Sequence, residues 1–441
     1  MQRPEPAKTS IATVIAASTI GCTIEWYDFF LYGVFASLVF NKLFFPTFDP
    51  IVGTLIAYTT FAVGFVARPV GGLLFGHFGD RIGRKQMLIV TLVIMGVATF
   101  AIGLLPTYAQ LGPWAAVLLL LLRLAQGIGI GGEWGGAVLM ATEYAPKGRR
   151  GFFGSMPQGG LCAGLFLSTA VVALLTRLPE DQFLAWGWRV AFFISAILVA
   201  LGIYIRSRIA ETPVFEKVLE TQRVAPVPFF ELLRGSSRQV LIGMGARYAE
   251  GVAFNAYAVF AISYLANTLK FPRGIVLWAV ACASLVMLVC VPICGALSDR
   301  YGRRLVYGIG TVSMALVSIP AFYVMSTTKS IAAVWLAIII PLGVVYALMY
   351  GPEASLFAEL FEPRVRYSGV SFVYQFSGIF ASGLTPIVLT YLLARSGTSP
   401  LLIVCYIAFT CLISLLSILA MRPDRDFHRD ALPGPVPVPA A

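Results

Sequence analysis

Charged side chains stand in this chain where they are least expected, inside long apolar runs. Glu25, Asp28 and Tyr32 follow at i, i+3 and i+7 and so share one helical face, while Arg247, Glu250, Phe254 and Tyr257 share another. Arg68, Arg123 and Glu133 are likewise surrounded by apolar sequence. A charge inside a spanning helix costs at least ~2.5 kcal/mol on insertion scales, so such a residue faces a cavity or a partner. An arginine suits carboxylate recognition, because its planar donors engage both oxygens. Arg247 is the first candidate for binding an anion and Arg68 the second, with Tyr32, Tyr257, Gln158 and Gln375 as further polar groups for a ligand. Desolvation favours the neutral form of a carboxyl, which makes Asp28, Glu133 and Glu250 candidate proton carriers, ranked in that order, with Glu25 and Arg123 beside them. The bland alternatives stay open at this point. Arg247 and Glu250 are also spaced to neutralise each other, and Arg123 or Glu133 could belong to a structural ion pair. Arg189, next to Trp186 and Trp188, reads as an interface anchor.

Other chemistries find little support. The seven cysteines all fall in apolar segments without a Cys-x-x-Cys pair, and the two histidines, His77 and His428, lie at a helix end and in the tail. No metal site, disulfide framework, cofactor or nucleophile–base constellation is expected, and an intramembrane enzyme is disfavoured.

The elements that position these charges are membrane helices. Of the 441 residues, 58% are hydrophobic and 12% charged, with a mean hydropathy of +0.84. Soluble proteins carry about 25% charged residues. Spans are expected at 11–40, 51–78, 86–106, 113–142, 154–176, 187–206, 239–269, 273–298, 304–325, 331–359, 366–394 and 398–421. The first shows no small-residue cleavage pattern and reads as a span rather than a removed signal. The expected fold is an all-α membrane protein of about twelve helices in two six-helix bundles, 1–206 and 239–421. A connecting loop at 207–238 joins them, and a proline-rich, disordered tail at 422–441 follows.

The net charge of +11 is a topology signal rather than a nucleic-acid footprint. Of the 32 basic residues, 22 fall in the two tails and the even-to-odd loops, against 6 in the opposite loops. The positive-inside rule then puts both termini in the cytoplasm, with anionic lipid headgroups as neighbours.

The two bundles repeat each other. Gly76, Asp80, Arg81, Gly83 and Arg84 recur as Gly295, Asp299, Arg300, Gly302 and Arg303, displaced by 219 residues at every position. Pro146-Lys-x-Arg149 with Gln158 recurs as Pro363-Arg-x-Arg366 with Gln375, displaced by 217. Asp28 and Arg247 are also 219 apart, which suggests matched positions on opposite walls of a central cavity. The repeated loop reads as a latch holding helix ends together in one conformation, or more blandly as a topology anchor. Glycines 127, 131 and 135, and 132 and 136, give the fourth span a flat face for close helix packing.

The two Gly-x-x-x-Asp-Arg-x-Gly-Arg loops resemble the signature of the major facilitator superfamily, and Arg123-Leu-Ala-Gln126-Gly127-Ile-Gly129 resembles its fourth-helix motif. More narrowly, Glu25-Trp-Tyr-Asp28-Phe-Phe-Leu-Tyr32-Gly33, Arg68-Pro69-x-Gly-Gly72, Gly131-Gly-Glu133-Trp-Gly-Gly136, Trp186-Gly-Trp-Arg189, Glu211-Thr-Pro213 and Arg366-Tyr-Ser-Gly369 are similar to the metabolite:proton symporter family. The match covers nearly the whole chain, and its first half looks closest to the shikimate-transporter branch. The resemblance implies proton-coupled import of a small organic carboxylate or zwitterion by alternating access, in the inner membrane, by a monomer. A metabolite or drug exporter on the same scaffold, or a non-transporting sensor, is the alternative.

Overall fold

The computed structural model describes residues 11–82, 84–131, 138, 141–142, 145–146, 148–208, 235–362, 365–397 and 399–421, with backbone only at 11–18, 76–82, 84–85, 88 and 205–208. The connection expected at 207–238 lies mostly, and the tail 422–441 wholly, outside them. The described residues are helical, without a strand. Twelve long helices run in order: α1 Ile11–Leu38, α2 Pro50–Ile82, α3 Arg84–Leu104, α4 Pro113–Ile130, α5 Arg150–Leu175, α6 Glu180–Tyr204, α7 Ser237–Thr268, α8 Arg273–Tyr301, α9 Arg303–Thr327, α10 Ile331–Ala358, α11 Arg366–Ser396 and α12 Leu401–Ala420. All but α1 and α3 are long and apolar enough, as described, to cross a membrane. These two take the remaining places, at 28 and 21 residues. Large apolar side chains such as Val289, Leu316 and Leu416 stay exposed, as lipid-facing positions must.

Each half packs within itself, α2 on α4 and α3 on α6 in the first, α7 on α12 and α9 on α10 in the second. The α2–α4 contact is the close approach expected of a small-residue face: a Cβ at Gly127 or Gly131 would run into the α2 backbone at Gly64 or Arg68. The halves meet along three seams, α5 on α8 and α10, α2 on α11, and α1 on α7.

Two glycines of the repeated loop have distinct physical reasons. Gly302 turns the chain from α8 into α9 at φ 96°, a conformation that a Cβ disfavours. Gly295 lies on the α5–α8 seam, where a Cβ would sit 2.6 Å from both Gly151 O and Ser155 Oγ.

Three helices of the second half contain wide, π-type turns, at Ala256–Phe260 and Tyr264–Thr268 in α7, Ile339–Val345 in α10 and Ile379–Gly383 in α11. Such turns are frequent at functional sites. Prolines interrupt the hydrogen-bond ladder beside two buried charges, Pro69 next to Arg68 and Pro352 next to Glu353.

Candidate functional site between the halves

A small cavity with room for about one water lies between the halves, lined by Cys22, Glu25 and Trp26 of α1, Arg68 of α2, Ile130 of α4, and Tyr374 and Gln375 of α11. Arg68 is 2% exposed, and its guanidinium lies against three aromatic faces. Its Cζ stands 4.1 Å from the Phe29 ring centroid, 4.3 Å from Phe65 and 5.0 Å from Trp26. Its Nε and Nη2 have no hydrogen-bond partner among the described residues, and neither has Gln375 Oε1 across the cavity. Donors of a buried guanidinium left without an acceptor are a costly arrangement.

Arg247 does not line this cavity. Its donors are engaged within the second half, as the pairing alternative expected. Nε lies 3.2 Å from Glu353 Oε1 and 3.5 Å from Glu250 Oε2, and Nη1 donates to Tyr374 O and Ser377 Oγ, both at 3.0 Å. The guanidinium also stacks on Tyr374, Cζ 3.7 Å from the ring centroid. Tyr346 donates to Glu250 Oε1. The cluster joins α7, α10 and α11, and Tyr374 connects it to the cavity.

Three further expectations are corrected by position. Asp28 does not face Arg247 across the cavity. It is fully buried inside the first half, with Thr99 of α3 and Ser195 of α6 as polar neighbours, yet neither carboxyl oxygen has a hydrogen-bond partner among the described residues. Tyr32 donates to Thr60 Oγ1 at 2.7 Å, and Tyr257 donates to Ser318 Oγ at 3.0 Å. Both rings fill their own halves rather than line the cavity. Arg123 also stays within the first half, donating to Gln126 Oε1 and Phe61 O and stacking on Phe29 from 3.9 Å. Phe29 is thus contacted by two guanidinium groups. Arg189 donates to the carbonyls of Gly103 and Leu105, as a structural anchor does.

The matched glutamines both bridge the halves. Gln375 Nε2 of α11 donates to Gly131 O at 2.8 Å. Gln158 lies against the α10 backbone, its amide nitrogen toward Tyr350 O and its oxygen accepting from Ala354 N at 3.3 Å. Each glutamine contacts backbone in the half opposite its own, which is the pattern of the repeat expressed as geometry.

At one end of the seams, Asp299 accepts from the amides of Gly151 (2.8 Å) and Phe152 (2.9 Å), the first-turn donors of α5. These groups have no partner within their helix, and the helix dipole favours an anion there. Arg303 bridges Asp299 at 2.8 Å and Glu359 at 3.1 Å, whereas Arg300 lies over its neighbour Tyr301. The first copy of the loop offers no side-chain geometry to set beside this. Gly76, Asp80, Arg81 and Arg84 are described in backbone only, and Gly83 and Glu133 lie outside the described residues. At the other end, Asn267 Nδ2 donates to Ser37 O at 2.8 Å, and Glu180 bridges Lys42 of its own half and Arg273 of the other at 2.9 and 3.1 Å. The halves are therefore tied at both ends of the seams.

Sequence reasoning missed Glu353, which is fully buried and closest to Arg247. The signal was present. Glu353 stands 220 residues after Glu133, close to the displacement of the other repeats.

Comparisons with known proteins agree with this architecture. Residues 13–225 match the family model described as sugar (and other) transporter, and residues 247–439 match that of the major facilitator superfamily. The chain is 38% identical to an inner membrane metabolite transport protein of Escherichia coli strain K12, over 93% of this chain and 94% of that one. It is 36% identical to the shikimate transporter of the same strain (96% and 98% covered), and 35% identical to a proline/betaine transporter of Salmonella typhimurium strain LT2 (92% and 83%). The crystal structure of a D-xylose–proton symporter superposes with a TM-score of 0.75 at 19% identity, covering 94% of this chain and 98% of that one. With twelve long helices among the described residues, in two related halves, and with relatives of this identity over nearly their whole lengths, the chain is a membrane transporter that belongs to the major facilitator superfamily.

Proposed function

We propose that the chain imports a small organic acid or zwitterion together with protons, the two halves rocking about the central cavity so that it opens to one side at a time. The observation that carries this reading is Arg68, a buried guanidinium whose Nε and Nη2 have no partner among the described residues, lining a small cavity at the seam. A ligand carboxylate supplies the missing partner. Gln375 Oε1, without a partner among the described residues, accepts from the donor end of a zwitterion. The names of the relatives, shikimate transporter and proline/betaine transporter, fit the same chemistry. The distribution of basic residues supports a cytoplasmic position for the Asp299 end and for both termini.

The test is a thermal-shift and proteoliposome-uptake panel of shikimate, proline, glycine betaine and, as a neutral control, xylose. Arg68→Lys keeps the charge but loses the planar donor set. It should weaken binding of the carboxylate ligand by about 10- to 100-fold, since a hydrogen bond to a charged group is worth ~1.5–3 kcal/mol. Selective uptake of the neutral sugar, or unchanged carboxylate affinity in Arg68→Lys, refutes the assignment.

A further inference from the structure

The cluster around Arg247 holds more carboxyl groups than it can neutralise. Glu250 and Glu353 are 2% and 0% exposed, and both depend on the same Nε of one guanidinium. Glu250 receives one further hydrogen bond, from Tyr346. Glu353 Oε2 is buried with no hydrogen-bond partner among the described residues. Among the described residues the surroundings add no second cation on the cluster's own side: Tyr307 from α9, Tyr346 and Tyr350 from α10, Tyr374 and Ser377 from α11, and Cys411 from α12. Across the seam come Cys162 of α5 and, beyond the Tyr374 ring, Arg68 of α2. Two ionised carboxylates against one guanidinium would leave an uncompensated negative charge in the interior. Paired acids in such a setting hold one proton between them, and the proton belongs to the pair rather than to either residue.

We propose that Glu250 and Glu353 share one proton in this closed state and that the pair is the coupling site for protons. The second clause rests on the proton-coupled reading above. Binding converts one carboxylate to a carboxyl and release reverses it, with water supplying and receiving the proton as either side opens. The geometry links this event to the substrate. Arg247 holds Tyr374 by its carbonyl and its ring, and Tyr374 lines the cavity with Arg68. When the proton leaves, the second carboxylate competes for Arg247 and pulls on Tyr374. The wide turns of α7, α10 and α11 give the three helices of the cluster a place to yield.

Two measurements on the full-length protein decide the matter. Infrared difference spectra of the detergent-solubilised chain, recorded across a pH titration, should contain a buried-carboxyl component that both Glu250→Gln and Glu353→Gln remove. In either variant the remaining acid pairs one-to-one with Arg247. Persistence of that component in either variant overturns the shared proton. In proteoliposomes with the membrane potential clamped and the lumen one pH unit more alkaline, wild type should accumulate labelled shikimate or glycine betaine up to about tenfold for one coupled proton. Glu353→Gln should fall to no accumulation while still exchanging labelled for unlabelled probe, with the pH dependence of that exchange flattened. Accumulation by Glu353→Gln at the wild-type level overturns the coupling role. Should wild type itself transport a probe without accumulating it, the proton-coupled reading fails instead, and the infrared result still decides whether the proton is shared.

Discussion

Replacing Asp299 by asparagine should open the seam between α5 and α8 without unfolding either half. Its Oδ1 accepts from Gly151 N and from Arg303, and its Oδ2 accepts from Phe152 N. Only the two amide bonds cross between the halves. The Arg303 pair lies within one half, is present whether the seam is open or closed, and cancels from the equilibrium. Asparagine keeps one oxygen for one amide and presents an NH2 to the other, so one bond is lost with two donors facing each other. The surviving bond loses its charge assistance. Hydrogen bonds to charged groups contribute ~1.5–3 kcal/mol and neutral ones ~0.5–1.5 kcal/mol. The closed state should therefore lose about 2 kcal/mol at least, which lowers the closed-to-open ratio roughly 30-fold.

Spin labels at Arg149 and Leu305, in a background without the native cysteines, report the separation across this seam. Both positions are exposed. The distance distribution of Asp299→Asn should move toward the long component, and substrate should still bind. A shift in the population ratio of less than threefold would refute the seam-capping role of Asp299. Loss of equilibrium binding in a folded variant would refute its separation from the substrate site.

Gly295→Ala tests the same seam by sterics. Its Cβ would stand 2.6 Å from Gly151 O and Ser155 Oγ, and overpacking of this kind costs ~1–3 kcal/mol, so the same label pair should show the open component. An unchanged distribution would mean that the helices accommodate the methyl group. The orientation is checked by reporter fusions: one at the C-terminus should read as cytoplasmic and one near Lys329 as external, and matching answers would overturn the topology.

The spans and the two-half plan were legible in the sequence because apolar length and repeat displacement are properties of the chain alone. Bounds differ by a few residues, as at α5, which begins at Arg150 rather than 154. The facing of side chains was less legible. Asp28 and Tyr32 do share a helical face, but α1 is buried nearly all round, between Tyr27 donating to Ala191 O on one side and Phe30 packed on Phe254 on another. A helix that is apolar on every side has no contrast between faces to say which one meets which neighbour. Tyr257 was misplaced for the same reason, its hydroxyl turned to Ser318 of α9 rather than inward. Arg247 and Glu250 were read as a pair, and the pair exists. What the local spacing could not reveal is Glu353, supplied by α10 from 106 residues away.

The halves carry complementary imbalances across one tyrosine ring. On the α2 side Arg68 Nε and Nη2 have no hydrogen-bond partner among the described residues. On the α7–α10–α11 side two carboxyls compete for one guanidinium. Under the proposed function, a substrate carboxylate offsets the first imbalance and a proton the second. Binding the anion alone leaves the carboxyl pair doubly ionised beside Tyr374, and binding the proton alone leaves Arg68 uncompensated. Burying an uncompensated charge is expensive, so enclosure of the cavity with only one of the two ligands aboard is disfavoured. Coupling then needs no dedicated relay between Arg68 and Glu353. It follows from the shared requirement that the interior be neutral when the seams close, and it makes charge-neutral variants of either site the ones that uncouple transport from the proton gradient.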